Sequence, residues 1–457
     1  MARKRKRRIK WKGVALLAAY VAVVLTGLYF LVFGIVRLVG GCSHAIPTNL
    51  QGDKQEVEHP VDPMVLRSDS ILAEKINRLI GSSTRLDSTV LAISVFDLSG
   101  QRSVFAHHAD EALIPASCMK IPTALAALHI LGLDYRYRTK IDATGYMQED
   151  TLVGTLHLQA GCDPLLTSFS TLVGQVREAG IHVVKGDVVV NLEREDTLTS
   201  HPSTESWDIP YSMIPLLLRG RAHVEREFLY ELAQQNIMVQ KSDETTERDS
   251  TRTVASHETP LKDVLTPMLI HSSNVKAEAV FYLLDAYQGL THDKRMHWDA
   301  PHASIMFWEK AFACHDNVLD YFRTMSERKQ STLKMVDGSG LSPLNRLSAH
   351  SLVEMLQYAW HAPLIRDYLV EEGLASPCSE TRRGSLKGRL SEEKYRERIF
   401  VKTGTLTTHG VSSLAGYIHA NNDLWFAFAI INNNCPVAEG RLFQDEFCKL
   451  FFTLPKE

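Results

Sequence analysis

Apolar positions along the chain fall into three kinds of run. The first is an uncharged stretch from Gly13 to Val36, broken only by single polar residues such as Thr26. A helix of that length rises about 36 Å, enough to cross a hydrocarbon core of about 30 Å with some tilt, so residues 13–39 are expected to span a membrane. The second kind has helical spacing. It predicts helices over Ile71 to Ile80, Thr123 to Leu131 (closed by Gly132), Phe169 to Ala179, His223 to Gln235 and Val437 to Phe452, with helical texture from Leu261 to Leu284 persisting to about Ala362. The third kind is short and strand-like: Val90 to Asp97, Ser103 to Ala106, Leu152 to Leu158, Val183 to Leu192, Ile237 to Gln240, Ile399 to Val401, Leu414 to Ile418 and Leu424 to Ile431. Turns are expected at Ser99-Gly100, Gly161-Cys162-Asp163-Pro164 and Gly186-Asp187. Ser43 to Ser68 is polar and proline-punctuated, which reads as a linker. The texture changes between Thr139 and Thr251, and no internal repeat is present.

Charge sharpens this picture at the N-terminal end. Eight basic and no acidic residues lie between Met1 and Lys12, so a net charge of −3 overall places −11 on the remainder. Basic residues flanking an apolar span hold that end in the cytoplasm, which puts the body on the outer side. The span is longer than the apolar core of a cleaved signal peptide. Val39-Gly40-Gly41-Cys42 is also similar to a lipoprotein cleavage box, and an uncleaved anchor is preferred on length. An acidic body argues against nucleic-acid binding, which needs a basic surface. The 45% hydrophobic and 23% charged composition is that of a folded globular chain. Seven cysteines without a CxxC pair exclude a disulfide-dense scaffold and the common zinc ribbons. The only His-Glu pair, His257-Glu258, has Leu261 where a zinc helix needs its second histidine, which weighs against a zinc enzyme.

Three short motifs carry candidate chemistry. Ser-x-x-Lys occurs five times, but only Ser117-Cys118-Met119-Lys120 follows a proline-tipped turn and opens an apolar helix. There Lys120 would share a face with Ser117. A serine hydroxyl needs a neighbouring base, and a lysine serves if burial and nearby cations depress its pKa. Ser272-Ser273-Asn274 interrupts a helical region, where a hydroxyl and an amide on one turn can relay a proton and hold a carbonyl. Lys402-Thr403-Gly404 follows a strand-like run, where a cation and a hydroxyl suit a carboxylate. Singly, each motif reads better as structure: a helix cap, a polar cap, an edge strand with a gatekeeper lysine.

The three in this order resemble the serine penicillin-recognising enzymes, the penicillin-binding proteins and serine β-lactamases. Pro115-Ala116 before the first motif, Ala277-Glu278 after the second, Asp337-Gly338-Ser339-Gly340-Leu341-Ser342, the turn at Gly161 to Pro164 and the strand Leu414 to Ile418 are similar to the class C low-molecular-mass penicillin-binding proteins. These are the D-alanyl-D-alanine carboxypeptidases/endopeptidases of the penicillin-binding protein 4 type. The resemblance runs from about Ile71 to Leu454. It departs at Ser273, where the family often has Asp, at Cys118 beside the nucleophile (read as a small buried residue), and in a shorter insert between Lys120 and Ser272.

The resemblance implies an α/β fold: a penicillin-binding transpeptidase/β-lactamase-like domain, an antiparallel sheet flanked by helices, over residues 69–138 and 252–457, with a smaller α/β domain inserted at 139–251. Before it come a cytoplasmic basic tip (1–12), the anchor (13–39) and the linker (40–68). It also implies peptidoglycan stem peptides as substrate, β-lactams as inhibitors and a periplasmic site. Ser117 would attack with Lys120 as base, and the backbone N–H groups of Ser117 and Thr405 would hold the oxyanion. Ser272 would pass the proton, Asn274 would orient the substrate, and Lys402, Thr403 and Gly404 would bind its carboxylate. A β-lactamase and a catalytically silent peptidoglycan-binding scaffold are the alternatives.

Overall fold

The computed structural model describes residues 63–83, 86–199, 209–242, 250–287 and 334–455. The basic tip, the expected span at 13–39, most of the linker and the expected helical stretch over 288–333 lie outside the described residues. No helix of the described residues is long and apolar enough to cross a membrane.

Helix α1 (Pro63–Ser82) begins inside the expected linker. Ser68, Leu72 and Ile76 recur every fourth residue and are all buried, so one stripe runs down the helix into the core. Ser68 also accepts a hydrogen bond from Asn422 Nδ2 at 3.1 Å, which draws this end into the fold.

Five strands form an antiparallel sheet in the order β2-β1-β11-β10-β9: β1 (Leu91–Asp97), β2 (Arg102–His107), β9 (Ile399–Leu406), β10 (Val411–His419) and β11 (Trp425–Asn432). The two apolar runs near the chain's end become its centre, β10 and β11, and both are buried on both faces. Alternate residues of a strand point to opposite faces, and β11 sorts its side chains accordingly. Phe426, Phe428 and Ile430 pack with α1 and with Phe443 and Phe447 of α9 (Val437–Leu450), and the Phe428 and Phe447 rings lie 5.4 Å apart. The opposite face presents the smaller Ala427 and Ala429 with Ile431 to a helical layer. That layer comprises α2 (Lys120–Ile130), α5 (Leu261–Ile270), α6 (Asn274–Tyr287), α7 (Ala349–His361) and α8 (Pro363–Tyr368).

A second sheet lies between α2 and α5 in sequence. Its order is β7-β5-β4-β3-β8, with β6 also paired to β4: β3 (Arg136–Gln148), β4 (Thr151–Ala160), β5 (Val183–Lys185), β6 (Val188–Leu192), β7 (Met238–Gln240) and β8 (Thr251–Pro260). Helices α3 (Ser170–Glu178) and α4 (Arg221–Gln234) contribute Val173, Val176, Phe228 and Leu232 to its core. The sheet is wider than the texture change at 139–251, because β3 and β8 run past both limits. The expected strand from Val183 to Leu192 is two strands, both parallel to β4 and parted at Gly186-Asp187.

Candidate active site

The turn before α2 is a 3-10 segment, Ala116–Met119, entered through an alanine at φ 47°. A left-handed alanine costs roughly 1–2 kcal/mol, so surrounding contacts must hold it. Ala116, Cys118 and Met119 are buried, and Ser117 alone in the turn keeps partial exposure. One helical turn later Lys120 is fully buried. Its Nζ lies 2.9 Å from Ser117 Oγ, 2.7 Å from Asn274 Oδ1 and 2.6 Å from the Ser339 carbonyl. Three partners saturate an ammonium. A neutral amine would keep two N–H bonds, to Asn274 and Ser339, and turn its lone pair to the Ser117 hydroxyl. Burial, and then the nearby Lys402 charge, hold the Lys120 pKa well below the ordinary lysine value.

Asn274 opens α6, and Ser272 sits in the break between α5 and α6 at φ 58°. The Ser272 hydroxyl accepts from Lys402 Nζ at 2.9 Å, and Lys402 also donates to the Thr403 carbonyl at 2.8 Å. Lys402 is fully buried, and burial lowers its pKa to about 8. Its amine is therefore held between Ser272 and the Thr403 carbonyl. The Thr403 hydroxyl donates to Ser385 Oγ at 2.7 Å.

Strand β9 closes against the Ala116–Met119 turn. A Cβ at Gly404 would lie 2.1 Å from Ser413 Oγ and 2.6 Å from the Pro115 carbonyl, so only glycine allows that approach. Ser413 Oγ donates to the Pro115 carbonyl at 2.6 Å, tying β10 to the same turn. Thr405 follows on β9, half-buried, with its hydroxyl accepting from Arg441 at 3.3 Å. Cys118 Sγ contacts the Lys402 carbonyl at 3.4 Å, and burial raises its thiol pKa, which suits a packing residue and not a reactive thiolate. All eight residues singled out in the sequence thus line one locality where α2, the α5–α6 break and β9 meet.

Two further members, Glu278 and Asp337, entered the sequence reading only as part of the resemblance and without a role, and a third, Ser385, did not enter it. Glu278 stands four residues after Asn274 on α6, hence on the same face. It accepts the Ser339 N–H at 2.9 Å, and burial pushes its pKa up to about 8. Asp337 accepts the Gly340 and Ser342 N–H groups, each at 2.6 Å, and folds that loop so that the Ser339 carbonyl meets Lys120. Ser385 lies in a loop without a motif. Beside it opens a cleft of about 430 Å³ lined by His271, Glu380, Thr381, Arg383, Gly384 and Lys387. His257, of the discarded zinc pair, lies on β8 against Thr259, and the described residues contain no cluster of metal-ligating side chains.

A family model described as D-Ala-D-Ala carboxypeptidase 3 (S13) matches residues 72–215 and 219–450. The chain belongs to this S13 family. The resemblance drawn from the three motifs therefore points to the right group. A D-alanyl-D-alanine carboxypeptidase from Actinomadura sp. (strain R39) is 29% identical over 147 residues, which is 31% of this chain and about a quarter (26%) of that relative's length. Among solved structures, penicillin binding protein 4 (dacB) from Haemophilus influenzae superposes with a TM-score of 0.60 at 16% identity, covering 82% of this chain and 99% of that one. A predatory peptidoglycan endopeptidase from Bdellovibrio bacteriovorus gives 0.52 at 14% identity, covering 79% and 92%. These likenesses show that this chain has an α/β penicillin-binding-protein-like fold with flanking helices.

Proposed function

We propose that the protein is a serine-type D-alanyl-D-alanine peptidase acting on peptidoglycan stem peptides through an acyl-enzyme. The observation that carries this reading is the buried Lys120 amine, held below the usual lysine range and 2.9 Å from the half-exposed Ser117 hydroxyl. A neutral Lys120 takes the Ser117 proton as Oγ attacks the carbonyl of the penultimate D-alanine. The oxyanion lies between the N–H groups of Ser117 and Thr405, a site type worth roughly 3–4 kcal/mol per donor. Asn274 holds the substrate amide. The proton passes through Ser272 to the departing amine as the C–N bond breaks, and Thr403 receives the leaving residue's carboxylate. Lys402, bonded to Ser272, supplies charge behind that hydroxyl. A water then attacks the ester: Lys120 takes its proton and passes it to Ser117 Oγ as the acyl C–O bond breaks, which restores the hydroxyl and the neutral amine. The same ester would form with a β-lactam ring and hydrolyse slowly.

The family setting and the basic, apolar N-terminal segment support a periplasmic body held to the inner membrane by residues 13–39, with the second sheet as an inserted domain. The deciding experiment treats the full chain with penicillin and maps the adduct by mass spectrometry, then measures D-alanine release from a pentapeptide by wild type and Ser117→Ala. An adduct at Ser117, slow turnover and release lost in the variant are expected. Fast penicillin turnover would mean a β-lactamase. No adduct, or equal release from both proteins, would leave a binding scaffold.

A further inference from the structure

Two buried carboxyls stand behind the Lys120 amine, and the mechanism gives neither a part. The loop from Asp337 to Ser342 is clamped between α2 and α6: the Gly338 carbonyl accepts from Thr123 Oγ1 at 2.7 Å, and a Cβ at Gly338 would lie 2.5 Å from Phe281 Cβ. Within the loop, one peptide group has Lys120 at one end and Asp337 at the other. Its Ser339 carbonyl accepts from Lys120 Nζ at 2.6 Å, and its Gly340 N–H donates to Asp337 Oδ1 at the same distance. The preceding peptide donates its Ser339 N–H to Glu278 Oε1 at 2.9 Å. Glu278 lies one turn after Asn274, the other acceptor for Lys120 at 2.7 Å. One face of α6 thus grips the amine twice, once directly and once through the loop.

The two carboxyls are not equivalent. Asp337 receives three N–H donors, from Gly340 and Ser342 at 2.6 Å each and from Asn345 Nδ2 at 3.0 Å, which favours its charged form. Among the described residues Glu278 is bonded only by Ser339. Both carboxyls are 2% exposed, and two carboxylates sharing so dry a place do not both ionise readily. Burial, and then the Asp337 charge, push the Glu278 pKa up to about 8. The other ionisable groups facing this centre are Lys120 itself on α2, Lys402 on β9 and Cys118 in the turn before α2. We propose that Asp337 and Glu278 are positioning residues for the Lys120 base and hold a single negative charge between them, Asp337 charged and Glu278 carrying the proton. One charge steadies the ammonium that forms as Lys120 takes the Ser117 proton. A second would keep Lys120 protonated at rest, when its lone pair must face the hydroxyl. This rests on the function proposed above and adds the residues that aim and tune its base.

The test measures acylation of the full-length protein by a fluorescent penicillin across pH, with thermal melts to show folding. Glu278→Met removes the acceptor at nearly constant volume, and an aim lost by about 1 Å should lower the plateau rate on the order of 100-fold. Glu278→Gln keeps an acceptor for the Ser339 N–H and matches the charge of a protonated carboxyl. It should recover most of that loss, with the rising limb where wild type has it. Asp337→Asn removes the one charge that favours the Lys120 ammonium, so its limb should move to lower pH. If one of the harsher variants does not fold, the other and Glu278→Gln still decide. A folded Glu278→Met that acylates at the wild-type rate, a Glu278→Gln limb that shifts down, or an Asp337→Asn limb that stays put overturns this proposal alone. Wild type that takes no penicillin at Ser117 overturns the functional reading, and the positioning role with it.

Discussion

Gly340 and Gly132 offer a paired test of how the nucleophile turn is held. Both have nearly the same left-handed backbone, φ 81° and 82°. They differ in what a side chain would meet. A Cβ at Gly340 would stand 1.9 Å from the Ala116 carbonyl oxygen, 2.5 Å from its carbon and 3.1 Å from Met119 Cβ, whereas one at Gly132, which ends α2, meets nothing within 4 Å. Gly132→Ala therefore bears only the left-handed penalty, roughly 1–2 kcal/mol. Gly340→Ala adds an overpacking cost of about 1–3 kcal/mol, and the clash is with backbone, so the Ala116–Ser117 turn must move. A displacement of about 1 Å at a reacting group costs on the order of 100-fold in rate. Thermal melts and stopped-flow acylation by a fluorescent penicillin measure the two effects separately. Gly132→Ala should melt slightly lower and acylate at the wild-type rate. Gly340→Ala should melt several degrees lower and acylate about 100-fold more slowly. If Gly340→Ala acylates normally, or if both variants lose acylation equally, the loop carrying Ser339 and Gly340 does not position the turn.

Two further outcomes follow from the buried amines. The acylation rate should rise with pH as Lys120 loses its proton and reach a plateau well below the ordinary lysine value of 10.5; because the Lys402 charge helps hold that pKa down, Lys402→Met should move the rising limb to higher pH. Lys402 itself sits at about 8 in the folded protein against 10.5 in an ordinary lysine, so between those values the unfolded chain binds more protons. Its contribution to stability then rises with pH by up to about 3 kcal/mol across that window; denaturant titrations at pH 8 and 10.5 should register this rise in wild type and find it missing in Lys402→Met.

Much of the catalytic layer was legible because its signals are local. Leu414 to Ile418 and Leu424 to Ile431 are continuous apolar runs because β10 and β11 are covered on both faces. Strands β3 and β8 escaped notice for the opposite reason. Along β3, exposed Arg136, Arg138 and Lys140 alternate with buried Tyr137, Thr139 and Ile141, so charge masks a period of two. The site divides similarly. Ser117, Lys120, Ser272, Asn274 and Lys402 to Thr405 stand in short motifs, but the placing of Lys402 between Ser272 and the Thr403 carbonyl depends on burial that only the assembled fold supplies. Ser385 was invisible because its one relevant contact, to Thr403, joins a loop to a strand edge. Helix α1 was expected only from Ile71, with Ser68 given to the linker, because a serine on the core stripe looks like linker until Asn422 is brought beside it.

The pairing of β1 with β11 has a consequence for biogenesis. Leu91 finds its partner only at Asn432, about 340 residues later. At synthesis speeds of about 5–20 residues per second, the first hairpin and the Ser117 turn must wait roughly 20–70 s for the strand that completes their sheet. Until residue 432 has been made and has docked, the central sheet cannot close and the amines at 120 and 402 have no shared interior in which to shed their protons. Acylating competence should therefore appear late and all at once, and a nascent chain stalled before β11 should present an oily, penicillin-blind surface to whatever chaperones receive it.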